Sequence, residues 1–315
     1  MAAIVITGPT AVGKSDLGMA LAAQLGGEII SVDSRQLYRS MDIGTAKPSR
    51  RDMERVPHHF IDIVDPSDRY SAGRFGREAR EVIESLEERG ILPILVGGSG
   101  LYLSAVVDGL FEGEVDMEMR QQLQQRLATD GGLPSLRDDL LKVDPVAHSA
   151  LAPNDAQRIL RALELCLGAG ATPQSARILD QGDNSLYPAP AIFGLTMGRA
   201  ELYQRVDQRI DAMISRGWLE EVRELIAAGY DPDCHGLSSL GYWELCQHLT
   251  GGLPLEEAVN RIKRRSRHYA KRQLTWFRKD RRLRWMDLDR IGGVRGALKR
   301  VLAQIAPDRT LAKAG

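Results

Sequence analysis

Apolar residues along this chain fall into two regimes. Up to about residue 113, apolar runs of strand length alternate with stretches whose apolar positions recur at helical spacing. The run 3–7 (AIVIT) predicts a buried strand. A helix over 14–25 (KSDLGMALAAQL) follows, ended by Gly26-Gly27. Further strands are predicted at 28–32 and 59–64 (HFIDIV), then a helix at 73–89 closed by Gly90. The run ILPILV next leads into Gly97-Gly98-Ser99-Gly100. Short apolar strands alternating with helices predict a parallel sheet covered on both faces. From 114 to about 189 only helical spacing occurs, in MEMRQQLQQRLATD, PSLRDDLLKV and NDAQRILRALELCLG. A strand pattern resumes at 191–197 (AIFGLTM), long helices are predicted over 200–228 and 255–279, and the tail frays after about 305. The predicted fold class is α/β: a parallel-sheet core made of 1–113 and 191–315, with an all-helical subdomain, 114–190, inserted into it.

Composition narrows the function classes. The 315 residues are 43% hydrophobic and 27% charged, as in soluble globular proteins. No apolar run approaches the roughly 20 residues that span a bilayer. The first strand begins at once, so no secretory signal is expected. Cys166, Cys234 and Cys246 are scattered without a C-x-x-C pair, which favours a reducing cytoplasm over a disulfide scaffold. Cys234, His235, Cys246 and His248 match no familiar zinc spacing. A formal net charge of zero conceals an asymmetry: residues 261–284 hold twelve Lys or Arg and one acid. That basic run, interleaved with Tyr269, Trp276 and Phe277, is either a solvated helix face or a nucleic-acid surface, and the aromatics favour the latter.

The chemistry concentrates in residues 8–48. GPTAVGKS (Gly8, Pro9, Thr10, Ala11, Val12, Gly13, Lys14, Ser15) is a complete phosphate-binding loop between a strand and a helix, making the core P-loop-containing. Its backbone N–H groups and the helix N-terminus favour an anion, Lys14 adds a full charge, and the Ser15 hydroxyl can bind magnesium. A nucleotide hydrolase or kinase would add an Asp at the end of a neighbouring apolar strand. ILPILV ends in Gly-Gly-Ser instead, although Asp62 and Asp65 remain candidates. The loop therefore suits a leaving group as well as a triphosphate. Asp33 ends an apolar strand at the carboxyl edge, either capping the following turn or facing the loop as a general base or as a magnesium ligand acting through water. Ser99 is either a turn residue or a hydroxyl in the same crevice. Arg205 and Arg209, four apart on one helical face, either clamp phosphate oxygens or pair with Glu201 and Asp207.

Seven ordered segments together resemble the tRNA dimethylallyltransferase family: GPTAVGKS, DSRQLYRSMDIGTAKP (33–48), PHHFIDIVDP (57–66), YSAGRF (70–75), GGSGLY (97–102), QRILRALE (157–164) and YAKRQLTWFR (269–278). The resemblance implies Mg2+-assisted transfer of a dimethylallyl group from dimethylallyl diphosphate to N6 of the adenosine just 3′ of the tRNA anticodon. By that likeness Asp33 is the base and Ser99, where the family usually has Thr, contacts the base or donor oxygens. The loop, with Arg205 or Arg209, holds the diphosphate, and Ser15 binds the metal. Implied tRNA contacts are Asp33, Ser34, Arg35, Gln36, Ser99, Gln121, Gln157, Arg158, Ile159, Leu160, Arg161, Gly241, Tyr242, Lys271, Arg272 and Gln273. The implied partners are tRNA and dimethylallyl diphosphate, with no membrane and a monomeric enzyme. A small-molecule or nucleotide kinase is the rival reading, and it predicts ATP turnover.

Overall fold

The computed structural model describes residues 3–109, 117–168, 186 and 189–311. The chain divides into two compact units, Met1–Val107 with Leu186–Gly315, and Asp108–Ser185. The inserted unit thus begins six residues and ends five residues before the predicted 114–190, because the helix Gly100–Val107 closes the first half of the core.

The larger unit is built on β1 (Ile4–Thr7), β2 (Gly27–Val32), β3 (His58–His59), β4 (Leu92–Gly97), β5 (Ala191–Thr196) and β6 (Arg284–Asp287). Their order is β3-β2-β4-β1-β5-β6 and every pairing is parallel. β1 lies centrally, with Ile4 opposite Ile94 on one side and Ala191 on the other. Strand residues alternate between two apolar layers, as the pleat requires. Val5, Leu95 and Ile192 face one layer, while Ile4, Ile6, Ile94, Val96, Phe193 and Leu195 face the other. The second layer is covered by α1 (Lys14–Leu25) and the C-terminal helix Gly293–Leu311. The first is covered by Ala72–Glu88, Gly100–Val107, Arg199–Ser215, Trp218–Ala227 and Tyr242–Leu249.

The predicted strand 59–64 is a correction. Only His58 and His59 pair with β2, and Phe60 and Asp62 adopt left-handed φ values of 65° and 56°. The chain turns there so that Phe60 packs edge-on against Phe75, and Ile63 and Val64 donate their N–H groups to Leu37 O. The predicted helix 200–228 is two helices, Arg199–Ser215 and Trp218–Ala227, broken at Gly217 with φ 99°. The sequence pattern predicts neither β6 nor the helix Tyr242–Leu249, and the last helix continues to Leu311 rather than fraying at 305. Among the described residues no helix is long and apolar enough to cross a membrane.

In the smaller unit, helices Met117–Leu127, Gly132–Val143, Pro145–Ala150 and Ala156–Gly168 enclose a core of Leu123, Leu136, Leu140, Ala147, Ile159, Leu160, Ala162 and Leu163. Asp144 starts the third of these, its Oδ1 accepting from Ala147 N at 2.8 Å.

Candidate active site

The carboxyl ends of three adjacent strands meet at one edge: β1 delivers residues 8–13, β2 delivers Asp33, and β4 delivers Gly98-Ser99. Parallel α/β sheets gather ligands at this edge. The loop's shape needs its glycines: Gly8 has φ 140° and a Cβ there would lie 2.5 Å from Leu195 O, and Gly13 has φ 103°. Ser15 stands exposed in the first turn of α1. Lys14 Nζ donates to Pro9 O at 2.7 Å, folding the side chain back over the loop. Burial pushes the Lys14 ammonium down to about 7, with the positive charge of Arg209 adding to the effect and Asp33 opposing it.

Two cavities flank Asp33. One, of ≈ 500 Å³, is lined by Lys14, Ser15, Gln36, Lys47, Gly98 and Gln273 among others. The other, of ≈ 340 Å³, is lined by Ala11, Ser34, Arg35, Thr45, Trp218 and Arg272 among others. Thr10, Asp33, Arg209 and Tyr269 line both. Asp33 Oδ1 accepts from Arg35 N at 2.9 Å, so the carboxylate also caps its own turn. Ser34 N donates to Ser99 Oγ at 3.1 Å, which ties Ser99 to that turn. Tyr269 is hydrogen-bonded to Ser99, and burial, reinforced by the Asp33 charge, pushes its phenol up to about 12. It is therefore neutral at physiological pH, a fixed dipole beside Asp33 and Ser99.

The structure separates the two arginine candidates. Arg209 reaches both cavities, where burial lowers its pKa and Asp33 opposes the shift. Arg205 is exposed and pairs with Glu201 at 2.9 Å, outside either cavity, which corrects its candidacy as a clamp. Several other expected contact residues also have different surroundings. Gln36 is spent internally, accepting from Ser31 Oγ at 2.8 Å and donating to Thr45 O and Ala46 O. Tyr242 is buried, with its hydroxyl donating to Glu221 at 2.6 Å, and Gly241 N donates to Glu244 at 2.8 Å. In the smaller unit Gln121, Gln157 and Arg158 are exposed, Arg161 pairs with Glu164 at 3.2 Å, and Ile159 and Leu160 are core. Gln273 is buried between the loop and the Gly98 turn.

Sequence reading missed Tyr269 as a cavity residue, and also Trp218 and Glu221. Glu221 accepts the N–H groups of Asp42, Ile43 and Gly44 at 2.8, 2.6 and 3.2 Å, fixing the segment that carries Thr45 and Lys47 to the cavities. No local signal marks it, since a Glu on an amphipathic helix is ordinary.

The basic run lies mainly on the long helix Leu255–Phe277, the basic helix of this fold. Much of its charge is paired: Arg261 with Glu257, Lys263 with Asp211, Arg265 with Glu244 and Arg267 with Asp207. Along the same helix, Arg264, His268, Lys271, Arg272 and Trp276 line a groove of ≈ 460 Å³ together with Arg199 and Lys279. Arg272 belongs to this groove and to the smaller of the two cavities.

Comparison with known proteins identifies the family. The IPP transferase family profile matches residues 36–280. A tRNA dimethylallyltransferase from Desulforudis audaxviator (strain MP104C) is 45% identical over 303 residues, covering 96% of this chain and 97% of that protein. One from Symbiobacterium thermophilum is 47% identical over 291 residues, covering 90% and 89%. The crystal structure of a full-length tRNA isopentenylpyrophosphate transferase from Bacillus halodurans is similar with a TM-score of 0.72 and 39% identity, covering 99% of each chain. A eukaryotic dimethylallyltransferase acting on tRNA is similar with a TM-score of 0.77 and 31% identity, covering 98% of this chain and 79% of that one. With a parallel α/β core, a phosphate-loop turn and relatives that match nearly end to end, the chain belongs to the tRNA dimethylallyltransferase (IPP transferase) family.

Proposed function

We propose that this enzyme transfers a dimethylallyl group from dimethylallyl diphosphate to N6 of the adenosine 3′ of the anticodon in tRNA. The observation that carries the reading is the shared wall: Asp33 and Arg209 face both a cavity built on the phosphate loop and a second cavity without that loop's Lys14 and Ser15. The donor's diphosphate occupies the first, held by loop N–H groups, Lys14 and Arg209. The acceptor base, splayed from a single-stranded loop, occupies the second. N6 attacks C1 of the dimethylallyl group, the C1–O bond breaks, and its electron pair leaves on the diphosphate. Asp33 takes the N6 proton. The Ser99 hydroxyl, tied to Ser34 N and Tyr269, orients the groups around Asp33.

The Ser15 hydroxyl places a hard oxygen donor in the phosphate-loop cavity, which fits Mg2+, an ion that keeps waters and shares phosphate oxygens rather than needing an all-protein cage. Bound there, it would neutralise charge developing on the leaving diphosphate. The groove along the basic helix supplies cations for RNA phosphates, and Arg272 links it to the acceptor cavity. Gln121, Gln157 and Arg158 offer exposed contacts on the smaller unit. The test is diphosphate release from dimethylallyl diphosphate with Mg2+ and unmodified tRNA. Release that depends on RNA, with no phosphate released from ATP, is expected. ATP turnover without diphosphate release would establish the kinase reading instead.

A further inference from the structure

Gln273 joins three segments that are remote in sequence. It sits on the basic helix directly after the exposed Lys271-Arg272 pair, yet is only 6% exposed. Its Oε1 accepts from Thr10 N at 2.8 Å, in the middle of the phosphate loop. Its Nε2 donates to Gly98 O at 2.9 Å, at the start of the turn that carries Ser99. A Cβ at Gly98 would lie 2.3 Å from Nε2, so this reach depends on position 98 having no side chain. One helical turn earlier on the same face, Tyr269 bonds to Ser99. The basic helix therefore grips the Ser99 turn twice and the phosphate loop once. A primary amide is well matched to this position, because it supplies one acceptor and one donor while staying neutral, and its burial costs little once both are used.

We propose that Gln273 is a positioning residue, which holds the phosphate loop and the Ser99 turn in register with the basic helix so that the donor's diphosphate is aligned with Asp33. This rests on the reading of residues 8–15 as the diphosphate site. It replaces the RNA contact that the family resemblance implies for Gln273.

The test compares Gln273→Glu and Gln273→Met with wild type in two titrations: inorganic diphosphate with Mg2+ by calorimetry, and an anticodon stem-loop RNA by filter binding. Both variants are expected to bind diphosphate about tenfold or more weakly, the scale set by losing a buried hydrogen bond and stranding its partner. The kcat/KM for dimethylallyl diphosphate should fall in parallel, with RNA affinity within about twofold of wild type. Gln273→Glu has a second signature. Its protonated carboxyl again presents a C=O and an O–H donor, so its diphosphate affinity relative to wild type recovers as pH is lowered, and that of Gln273→Met does not. Weakened RNA binding with unchanged diphosphate binding would overturn the proposal in favour of an RNA contact. Equal loss of both without recovery at low pH would reduce Gln273 to a general structural role. A wild-type protein that does not bind diphosphate would overturn the donor-site reading itself, and the proposal with it.

Discussion

At Lys14, burial and anion binding pull in opposite directions. Desolvation holds the free amine near 7, whereas a diphosphate in the loop favours the ammonium. The complex therefore carries more protons than the free protein above about pH 7, and diphosphate affinity falls as pH rises through that range. Calorimetry at pH 8 in two buffers of different ionisation enthalpy should register proton uptake on binding. Equal heats in both buffers would remove Lys14 from the anion site. For Asp33→Asn, turnover is expected to drop about 10²- to 10⁴-fold, the usual worth of a general base. Diphosphate binding should be kept or tightened, since a negative charge leaves the cavity wall. Lys14, Ser15 and Asp33 were legible in the sequence because each sits at a fixed offset from a strand end. The choice between Arg205 and Arg209 was not, because both lie on one helical face and only tertiary packing decides which meets a cavity.

The segment 42–48 owes its shape to groups that come from far along the chain. Glu221 on Trp218–Ala227 binds three successive N–H groups of this segment and the Tyr242 hydroxyl. A Cβ at Gly44 would lie 2.0 Å from Trp218 Nε1. Glu221→Ala strands those donors and is expected to cost about 3 kcal/mol, read as a lower urea midpoint. A midpoint unchanged from wild type would show that water replaces the carboxylate without loss. Segments of this kind explain the misread elements. HFIDIV has strand composition, yet Phe60 and Asp62 take left-handed conformations because the turn packs Phe60 against Phe75 and returns Val64 to residues 37–39. β6 has a single buried residue, Met286, so no alternation marks it. The helices 14–25 and 72–88 were legible because their apolar stripes and glycine stops are local.

Charge is distributed across the molecule less simply than its sequence suggests. The twelve Lys and Arg of 261–284 imply a broad cationic face, but Arg261, Lys263, Arg265 and Arg267 are engaged by carboxylates within the protein. Arg282 is paired as well, with Asp280, and of the other cations Arg264, Lys271, Arg272 and Lys279 line the narrower groove. The salt dependence of RNA binding should therefore report a few phosphate contacts rather than one for every cation of the run. Lys271→Ala is expected to reduce the slope of log K against log salt by about 0.7–0.9, and Lys263→Ala to leave it unchanged. The reverse pattern would place the RNA on a different face. The reaction itself is most directly tested by mass spectrometry of unmodified tRNA incubated with enzyme, Mg2+ and dimethylallyl diphosphate, beside the same incubation with Asp33→Asn. One dimethylallyl unit gained on the adenosine 3′ of the anticodon, and lost in the variant, is the predicted result. An unchanged tRNA mass with the wild-type enzyme, or full modification by the variant, would contradict it.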